Sequence, residues 1–294
     1  MRLGPALAIT LALVLIGLSV TAQGQRARLV GSFAWSMDEP WFGGFSGLTL
    51  SGDGASMTVL SDRSVILTAR IIRDGDRISA IRPGRPIRLR SSTGKRLIGH
   101  VRDSEGLAIA PDGTTYISFE RVHRVARYDD LTGPAKVLPR PREFRAMRFN
   151  GSLEALAVDA KGRLYTLPED GVGRNGLIPL YRWDGKVWSR PFFLPARGDF
   201  LPVGADFGPD GRFYLLERTY GLFGFRSRLR SWDLTGTAAL DERTLLETGA
   251  GTHGNLEGLS VWRDAAGRLR ATMVADDNFN RFQKTELVEY ILTE

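Results

Sequence analysis

The chain contains no cysteine, and its 294 residues include only three histidines. Without cysteine, neither disulfide bonds nor thiol chemistry can contribute to the protein. Amphipathic helical periodicity is nearly absent, which argues against a helical bundle. The Gly-x-Ser-x-Gly elbow of serine esterases is also missing, so that mechanism is unsupported. No Ser-rich or Pro-rich linker divides the chain.

Lysine is scarce, with five residues among the 40 Lys and Arg, yet the formal net charge is +7. A basic surface can attract nucleic acids, anionic surfaces or anionic small molecules. The arginines are scattered, without an interleaved aromatic motif, so we expect no nucleic-acid partner. Two interpretations stay open, an anionic ligand and an Arg-rich composition that reflects coding bias alone.

The N-terminus predicts export. Arg2 precedes an apolar run from Ala6 to Val20, and the small residue Ala22 follows. This pattern is typical of a signal peptide over residues 1–22, which leaves residues 23–294 as one domain in the periplasm or outside the cell. The alternative is an uncleaved anchor, but the run is short for a membrane span. We therefore expect a monomer with no stable span after cleavage.

One short pattern recurs five times along the chain. It consists of an acidic or small residue, an apolar strand, a glycine turn, a second strand and a polar end, most clearly from Asn255 to Asp277. The residues that precede the first strand are Ser46, Glu105, Glu154, Ala205 (with Asp206 beside it) and Glu257. They are 49 to 59 residues apart, which suffices for the four short strands of a propeller blade.

The repeats predict an all-β fold, a β-propeller of five four-stranded blades, with six blades as the alternative and an unclosed β-sandwich as the competing architecture. The predicted first strands are Leu48–Leu50, Leu107–Ala110, Leu156–Val158, Asp206–Gly208 and Leu259–Trp262. The last blade lacks one strand. The segment Ala27–Trp35 can complete it by pairing with the C-terminal strand, which would close the ring and remove free sheet edges.

The first strand of each blade lines the channel of a propeller, so the residues at its start should meet at one mouth. Several converging carboxylates cannot all stay ionised without a counter-charge, and calcium tolerates irregular oxygen coordination. The alternative is that these acids hydrogen-bond to neighbouring blades. We predict a Ca²⁺ site formed by Ser46, Glu105, Glu154, Asp206 and Glu257.

The second strands end at the same mouth, again with acids. Three of these acids are the candidate catalytic residues, Asp62, Glu120 and Glu217, and an arginine follows each of them. Arginine suits phosphate and carboxylate oxygens, which makes Arg63, Arg121 and Arg218 candidate substrate-binding residues, unless they only pair with the adjacent acids. The histidines do not form a ligand set, although His100 or His253 could act as a general base.

The chain contains a set of motifs known from one protein family; they are Gly43–Leu48, Ser61–Arg63, Asp103–Ala108, Leu153–Ala157, Gly204–Phe207, Leu216–Arg218, Glu257–Leu259 and Asp276–Asn280. In these motifs the chain resembles the exported bacterial phytase-like family, which is named for esterase-like activity of phytase. The resemblance covers the whole mature chain, and it implies phosphoester hydrolysis. A fainter similarity to the five-bladed, calcium-dependent nucleotidases of the apyrase type implies calcium ligands at Ser46, Glu105, Glu154 and Glu257, with a departure at Ala205.

These observations together predict an exported calcium-binding hydrolase that acts on a small anionic substrate of the phosphoester type. Two alternatives remain. One is a non-catalytic propeller that binds an anionic ligand or a partner protein and uses calcium structurally. The other is a lactonase-like ester hydrolase.

Overall fold

The computed structural model describes residues 26–173 and 175–293. Twenty-one strands form five separate antiparallel sheets. The first strands of the sheets contact one another in a closed ring, β2 with β7, β7 with β11, β11 with β15, β15 with β19 and β19 with β2 (bounds below). The protein is therefore a five-bladed β-propeller, as predicted, and neither a six-bladed ring nor a sandwich.

The blades follow the chain order. Blade one contains β2 (Phe45–Leu50), β3 (Ser56–Ser61), β4 (Val65–Asp74) and β5 (Arg77–Pro83), and a short strand, β6 (Ile87–Arg88), pairs with β4. Blade two contains β7 (Ser104–Ile109), β8 (Thr115–Phe119), β9 (Arg124–Tyr128) and β10 (Lys136–Val137). Blade three contains β11 (Leu153–Val158), β12 (Leu164–Pro168), β13 (Leu177–Trp183) and β14 (Trp188–Pro195).

Blade four contains the longest strand, and blade five combines the first strand of the chain with the last three. Blade four contains β15 (Leu201–Phe207), β16 (Phe213–Gly221), β17 (Gly224–Thr235) and β18 (Ala238–Glu247). Blade five contains β19 (Asn255–Arg263), β20 (Leu269–Asp276), β21 (Glu286–Leu292) and β1 (Ala27–Ala34). The helical elements of the described chain are one turn of α-helix, α1 (Arg142–Arg145), and a 3-10 turn over Gly99–Arg102.

The ring closes through its two terminal strands, as predicted. β1 pairs antiparallel with β21, from Ala27 opposite Leu292 to Ala34 opposite Glu286. Every first strand also begins earlier than the sequence predicts, for example at Phe45 rather than Leu48. The additional residues lie at the end of the channel where the acidic residues are predicted to meet, so they decide the geometry of the candidate site.

Close packing around the central axis explains a glycine that recurs near the start of the first strands. A Cβ atom on Gly204 would lie 2.1 Å from the carbonyl oxygen of Glu257, and one on Gly106 would lie 2.5 Å from that of Glu154. Only glycine lets neighbouring first strands approach so closely. Further along the first strands, the channel narrows to a cavity of about 10 Å³, which is lined by Leu48, Leu107, Leu156 and Leu259. The two mouths are therefore separate.

One prediction concerns residues that the structure does not describe. The predicted signal peptide, residues 1–22, lies outside the described residues. Within residues 26–173 and 175–293, no helix has the length and apolar character needed to cross a membrane.

Candidate functional site

A β-bulge near the start of each first strand sets the geometry of the acidic mouth. The register with the second strand shifts at Ser46 in blade one, Glu105–Gly106 in blade two, Glu154 in blade three, Val203 in blade four and Glu257 in blade five. Bulges redirect a side chain out of the regular alternation of a strand. Glu105, Glu154 and Glu257 accordingly line one shared cavity.

This cavity has a volume of about 250 Å³ and opens at one end of the channel. Four of the five blades contribute carboxylates to it, whereas blade four contributes an arginine. The residues that line it are Asp62, Asp103, Glu105, Glu120, Arg121, Asn150, Glu154, Glu169, Arg218, Glu257, Asp276 and Asn278. We call this cavity the acidic mouth.

Two groups of three carboxylates in the acidic mouth could hold a metal ion. They are Asp103, Glu105 and Glu120, and Glu120, Glu154 and Glu169, with carboxylate oxygens within 4.8 Å of one another in each group. Calcium binds oxygen at about 2.3–2.6 Å, so ligands on opposite sides of one ion are about 4.6–5.2 Å apart. The all-oxygen donor set and its spacing fit calcium. Because both groups contain Glu120, they can hold one ion, or two ions bridged by this carboxylate.

Arg218 is the internal counter-charge of the acidic mouth. In the other blades the corresponding position, at the end of the second strand, holds Asp62, Glu120, Glu169 or Asp276. Arg218 donates from Nη1 to Glu257 Oε1 at 2.8 Å and to Asn255, and from Nη2 to Glu169 Oε1 at 3.1 Å. The side chain is 22 % exposed. Arg218 thus joins blades three, four and five rather than reaching out to solvent.

Burial and mutual repulsion raise the pKa of several acids in the acidic mouth, so these acids keep their protons to higher pH than usual. Burial raises the pKa of Asp62 to about 6, although Arg63 opposes the shift. Burial and the neighbouring Glu257 raise the pKa of Asp276 to about 8. Burial also raises the pKa of Glu105 and of Glu154 well above the ordinary value, and nearby carboxylates add to both shifts. A bound cation would displace these protons.

Asp276→Asn tests this electrostatic description in calcium-free protein. The carboxyl of Asp276 titrates near its ordinary value of 3.8 when unfolded and near 8 when folded. Because the folded state retains the proton longer, the wild type loses stability relative to the Asn variant as pH rises between these values. We expect a relative change of about 1.4 kcal/mol per pH unit between these two values, measured by urea denaturation at several pH values with chelator present. Asp74→Asn, an exposed change on β4, should show no such trend, and a constant difference for Asp276→Asn would contradict the description.

Two of the predicted metal ligands lie elsewhere. Ser46 is buried, and its hydroxyl donates to the carbonyl oxygen of Ser104 at 2.9 Å, which connects blades one and two. Asp206 lies three residues beyond the bulge at Val203, and it lines a cavity at the opposite mouth. Its carboxylate accepts from the backbone N–H of Phe207 and from that of Val261, at 2.8 and 2.7 Å. The structure thus brings together Glu105, Glu154 and Glu257 of the predicted set.

Glu217, a predicted catalytic residue, is also separated from the acidic mouth. Its side chain is fully buried, and it accepts hydrogen bonds from Arg228 Nε at 2.8 Å and from Arg230 Nη2 at 2.5 Å. It occupies the strand position before Arg218, on the opposite side of β16. Asp62 and Glu120, the other two predicted catalytic residues, do line the acidic mouth.

The predicted substrate-binding arginines differ in availability. Arg121 is 35 % exposed, and its Nε donates to Asp103 at 2.5 Å while Nη1 contacts His100 Nδ1 at 3.1 Å. The guanidinium of Arg63 stacks on the ring of Phe279, 3.1 Å from its centre. Arg121 therefore has N–H groups left to bind a substrate, whereas Arg218 already donates its hydrogen bonds to Glu257 and Glu169. Of the histidines, His253 is buried against the hydroxyl of Tyr290, at 2.7 Å from Nε2.

Asp103 belongs to the acidic mouth but was not among the predicted site residues. This acid lies two residues before Glu105, and an extended backbone places such residues on the same side. Its spacing could therefore have revealed it. Glu169 and Asp276 belong to the same acidic mouth; Glu169 directly follows β12, and Asp276 is the last residue of β20.

Comparison with protein families gives one decisive result. The family model described as "Phytase-like: Esterase-like activity of phytase" matches residues 40–279. The chain belongs to the phytase-like family. The match includes every carboxylate of the acidic mouth of this phytase-like chain. No curated protein sequence matches it.

Several solved structures have a similar overall shape at low sequence identity. The PQQ-bound aldose sugar dehydrogenase of Streptomyces coelicolor is 15% identical, with a TM-score of 0.47 over 90% of this chain and 98% of that one. Virginiamycin B lyase of Staphylococcus aureus is 14% identical, with a TM-score of 0.43 over 85% and 71% of the chains. A gluconolactonase of Xanthomonas campestris is 14% identical, with a TM-score of 0.45 over 84% and 72%.

Proposed function

We propose that the phytase-like chain is a calcium-dependent hydrolase of small phosphoesters that works at the acidic mouth. The observation that carries this proposal is the pair of carboxylate groups that share Glu120, each with oxygens within 4.8 Å, beneath an open cavity of about 250 Å³. An anionic substrate would be repelled by these carboxylates alone, so its binding there needs a cation. The family description supports ester hydrolysis.

The residues that would hold calcium are Asp103, Glu105, Glu120, Glu154 and Glu169. A bound calcium ion would supply positive charge for the phosphoester oxygens and would make a coordinated water more acidic. Glu120 is held in place because its carboxylate accepts the backbone N–H of Gly151. Arg218 holds Glu169 from the other side.

Arg121 is the side chain best placed to bind and orient the substrate. Asp103 and His100 fix its guanidinium, and the ring of Phe149 lies 5.3 Å from it. A fixed guanidinium loses little entropy when it binds a phosphate with its free N–H groups. Arg63, stacked on Phe279, lies on the blade-one side of the same rim.

Asp62 is the candidate general base. It lines the acidic mouth but belongs to neither carboxylate group, so its oxygens are free to accept a proton from water. Its described side-chain partner is the hydroxyl of Ser61 at 3.3 Å. A pKa of about 6 leaves Asp62 mostly ionised at neutral pH, which suits a base.

A turnover assay on the purified chain tests this function. We expect hydrolysis of phosphomonoesters, phosphodiesters or nucleotides that is abolished by chelator and restored by calcium. Asp62→Asn should lower kcat by about 100-fold or more, with calcium affinity unchanged, while Asp74→Asn should have wild-type activity.

The other outcomes separate the alternatives. Calcium binding without turnover of any substrate would show a non-catalytic binding propeller. Turnover of lactones alone would show a lactonase-like hydrolase. Either result contradicts phosphoester hydrolysis.

A further inference from the structure

Large apolar side chains stand exposed on the loops that surround the acidic mouth. In the β16–β17 hairpin, Tyr220, Leu222 and Phe223 are 73%, 92% and 79% exposed. Phe282, in the loop between β20 and β21, is 81% exposed, and Phe149, before β11, is 53% exposed. Solvated aromatic and aliphatic tips on several separate loops are unfavourable unless a partner covers them.

These side chains are confined to one face of the propeller. Their loops lie where β11 begins and where β16 and β20 end, which is the end of the strands that forms the acidic mouth. On the opposite face, the turns between the first and second strands contain no aromatic or large aliphatic residue; they are 51–55, 111–114, 159–163, 208–212 and 264–268. The turns between the third and fourth strands, on the same opposite face, expose Val187, which is 59% exposed. The asymmetry distinguishes a specific surface from scattered exposed residues.

The same loops are basic. The four segments 96–102, 140–149, 219–226 and 278–284 contain nine Arg or Lys residues and a single acid, Glu143. Three of the nine pair with carboxylates, namely Arg148 with Asp170, Arg226 with Glu247 and Lys284 with Glu286. Among the described ion pairs the other six have no carboxylate partner; they are Arg96, Arg102, Arg140, Arg142, Arg145 and Arg281. We call these four segments the basic apolar rim.

We infer that the basic apolar rim docks onto an anionic phospholipid surface, with the acidic mouth facing the lipid headgroups. A flat interface contacts loops from several blades at once, which a small ligand cannot do. Apolar tips enter the headgroup–acyl boundary while adjacent Arg and Lys bind lipid phosphates. Arg281 illustrates this pairing, because its guanidinium lies 4.7 Å from the ring centre of Phe282 beside it.

A second copy of the chain fits this face less well. A symmetric dimer would place the same patch of both copies together. In a face-to-face pair centred on the channel, the basic rim of one copy would face the basic rim of the other, and the carboxylates of the two acidic mouths would also face each other. Charge complementarity therefore favours the anionic lipid. The docking does not depend on the proposed hydrolysis.

Vesicle flotation tests the inference. We expect the mature chain to float with vesicles of phosphatidylcholine and phosphatidylglycerol in equal parts, to float poorly with phosphatidylcholine alone, and to dissociate at high salt. The double variant Leu222→Ser/Phe223→Ser should reduce partitioning by about tenfold or more. The matched control is Val187→Ser/Leu240→Ser, since these side chains are 59% and 53% exposed outside the rim.

Absence of flotation with either vesicle, or an equal loss in both double variants, would overturn the inference. A concentration-dependent dimer in sedimentation that the hairpin variant abolishes would identify a second copy as the occupant. Turnover of a soluble phosphoester is measured in parallel with the hairpin variant. If docking is lost while turnover is retained, the docking inference and the proposed hydrolysis are tested separately.

Discussion

Glu217→Gln is expected to lower the free energy of unfolding by about 3–5 kcal/mol and to leave calcium affinity unchanged. Glu217 and Arg230 are both fully buried, and Arg228 is nearly so. When the carboxylate is lost, the two buried guanidinium groups keep only weaker partners. These are the partly exposed Glu242 and backbone carbonyl oxygens. Gln preserves the volume of the side chain, so the variant isolates the effect of its charge.

Urea denaturation and calorimetric titration with calcium measure the two effects separately. The control is Asp129→Asn, since Asp129 pairs with Arg127 where the two side chains are 40% and 41% exposed. This exposed pair should contribute less than about 1 kcal/mol. Unchanged stability together with lost turnover in Glu217→Gln would instead support the catalytic role that the sequence suggests.

Glu120→Gln is expected to weaken calcium binding by about 100-fold or more, which corresponds to about 2.7 kcal/mol. Glu120 is the one carboxylate common to both groups of the acidic mouth, so its loss affects every arrangement of ions there. The amide keeps an oxygen for the backbone N–H of Gly151 but loses the negative charge. Folding should therefore be retained.

Chelator-competition titration measures this affinity, and two further variants calibrate it. Glu154→Gln alters one carboxylate group, so we expect a smaller loss. Glu143→Gln changes an exposed acid on α1 and should bind calcium like the wild type. If Glu120→Gln binds calcium as tightly as the wild type, the metal site does not lie in the acidic mouth.

The sequence predicts the ring and its closure well because these depend on local pattern. Strand and turn residues alternate with the same spacing in every blade, and each short turn carries a glycine. The predicted pairing of the N-terminal and C-terminal segments is confirmed between β1 and β21. Of the acids that the sequence assigns to calcium, Glu105 and Glu154 lie in the two carboxylate groups, and Glu257 lies beside them.

Blade four shows why the rest could not be read in the same way. Alignment on acids selects Asp206 and Glu217, but the bulge falls at Val203, and bulges depend on the register between strands. The glycine that permits close approach follows this position in four blades, as Gly47, Gly106, Gly204 and Gly258. Alignment on glycine would therefore have placed Val203 with Glu105 and Glu257. Arg218 would then have occupied the position of an acid, and its role as a counter-charge would have followed.

The pairing of β1 with β21 also determines the order in which the molecule can be assembled. Ala27 pairs with Leu292, so during synthesis strand β1 must wait for β21, which is made much later. Until then blade five lacks its outer strand and the ring stays open. Glu257 and Asp276 belong to this blade, so the acidic mouth is completed only after strand β21 is available. Contacts of such long sequence separation fold slowly, and we expect calcium to act on the finished ring rather than on a growing chain.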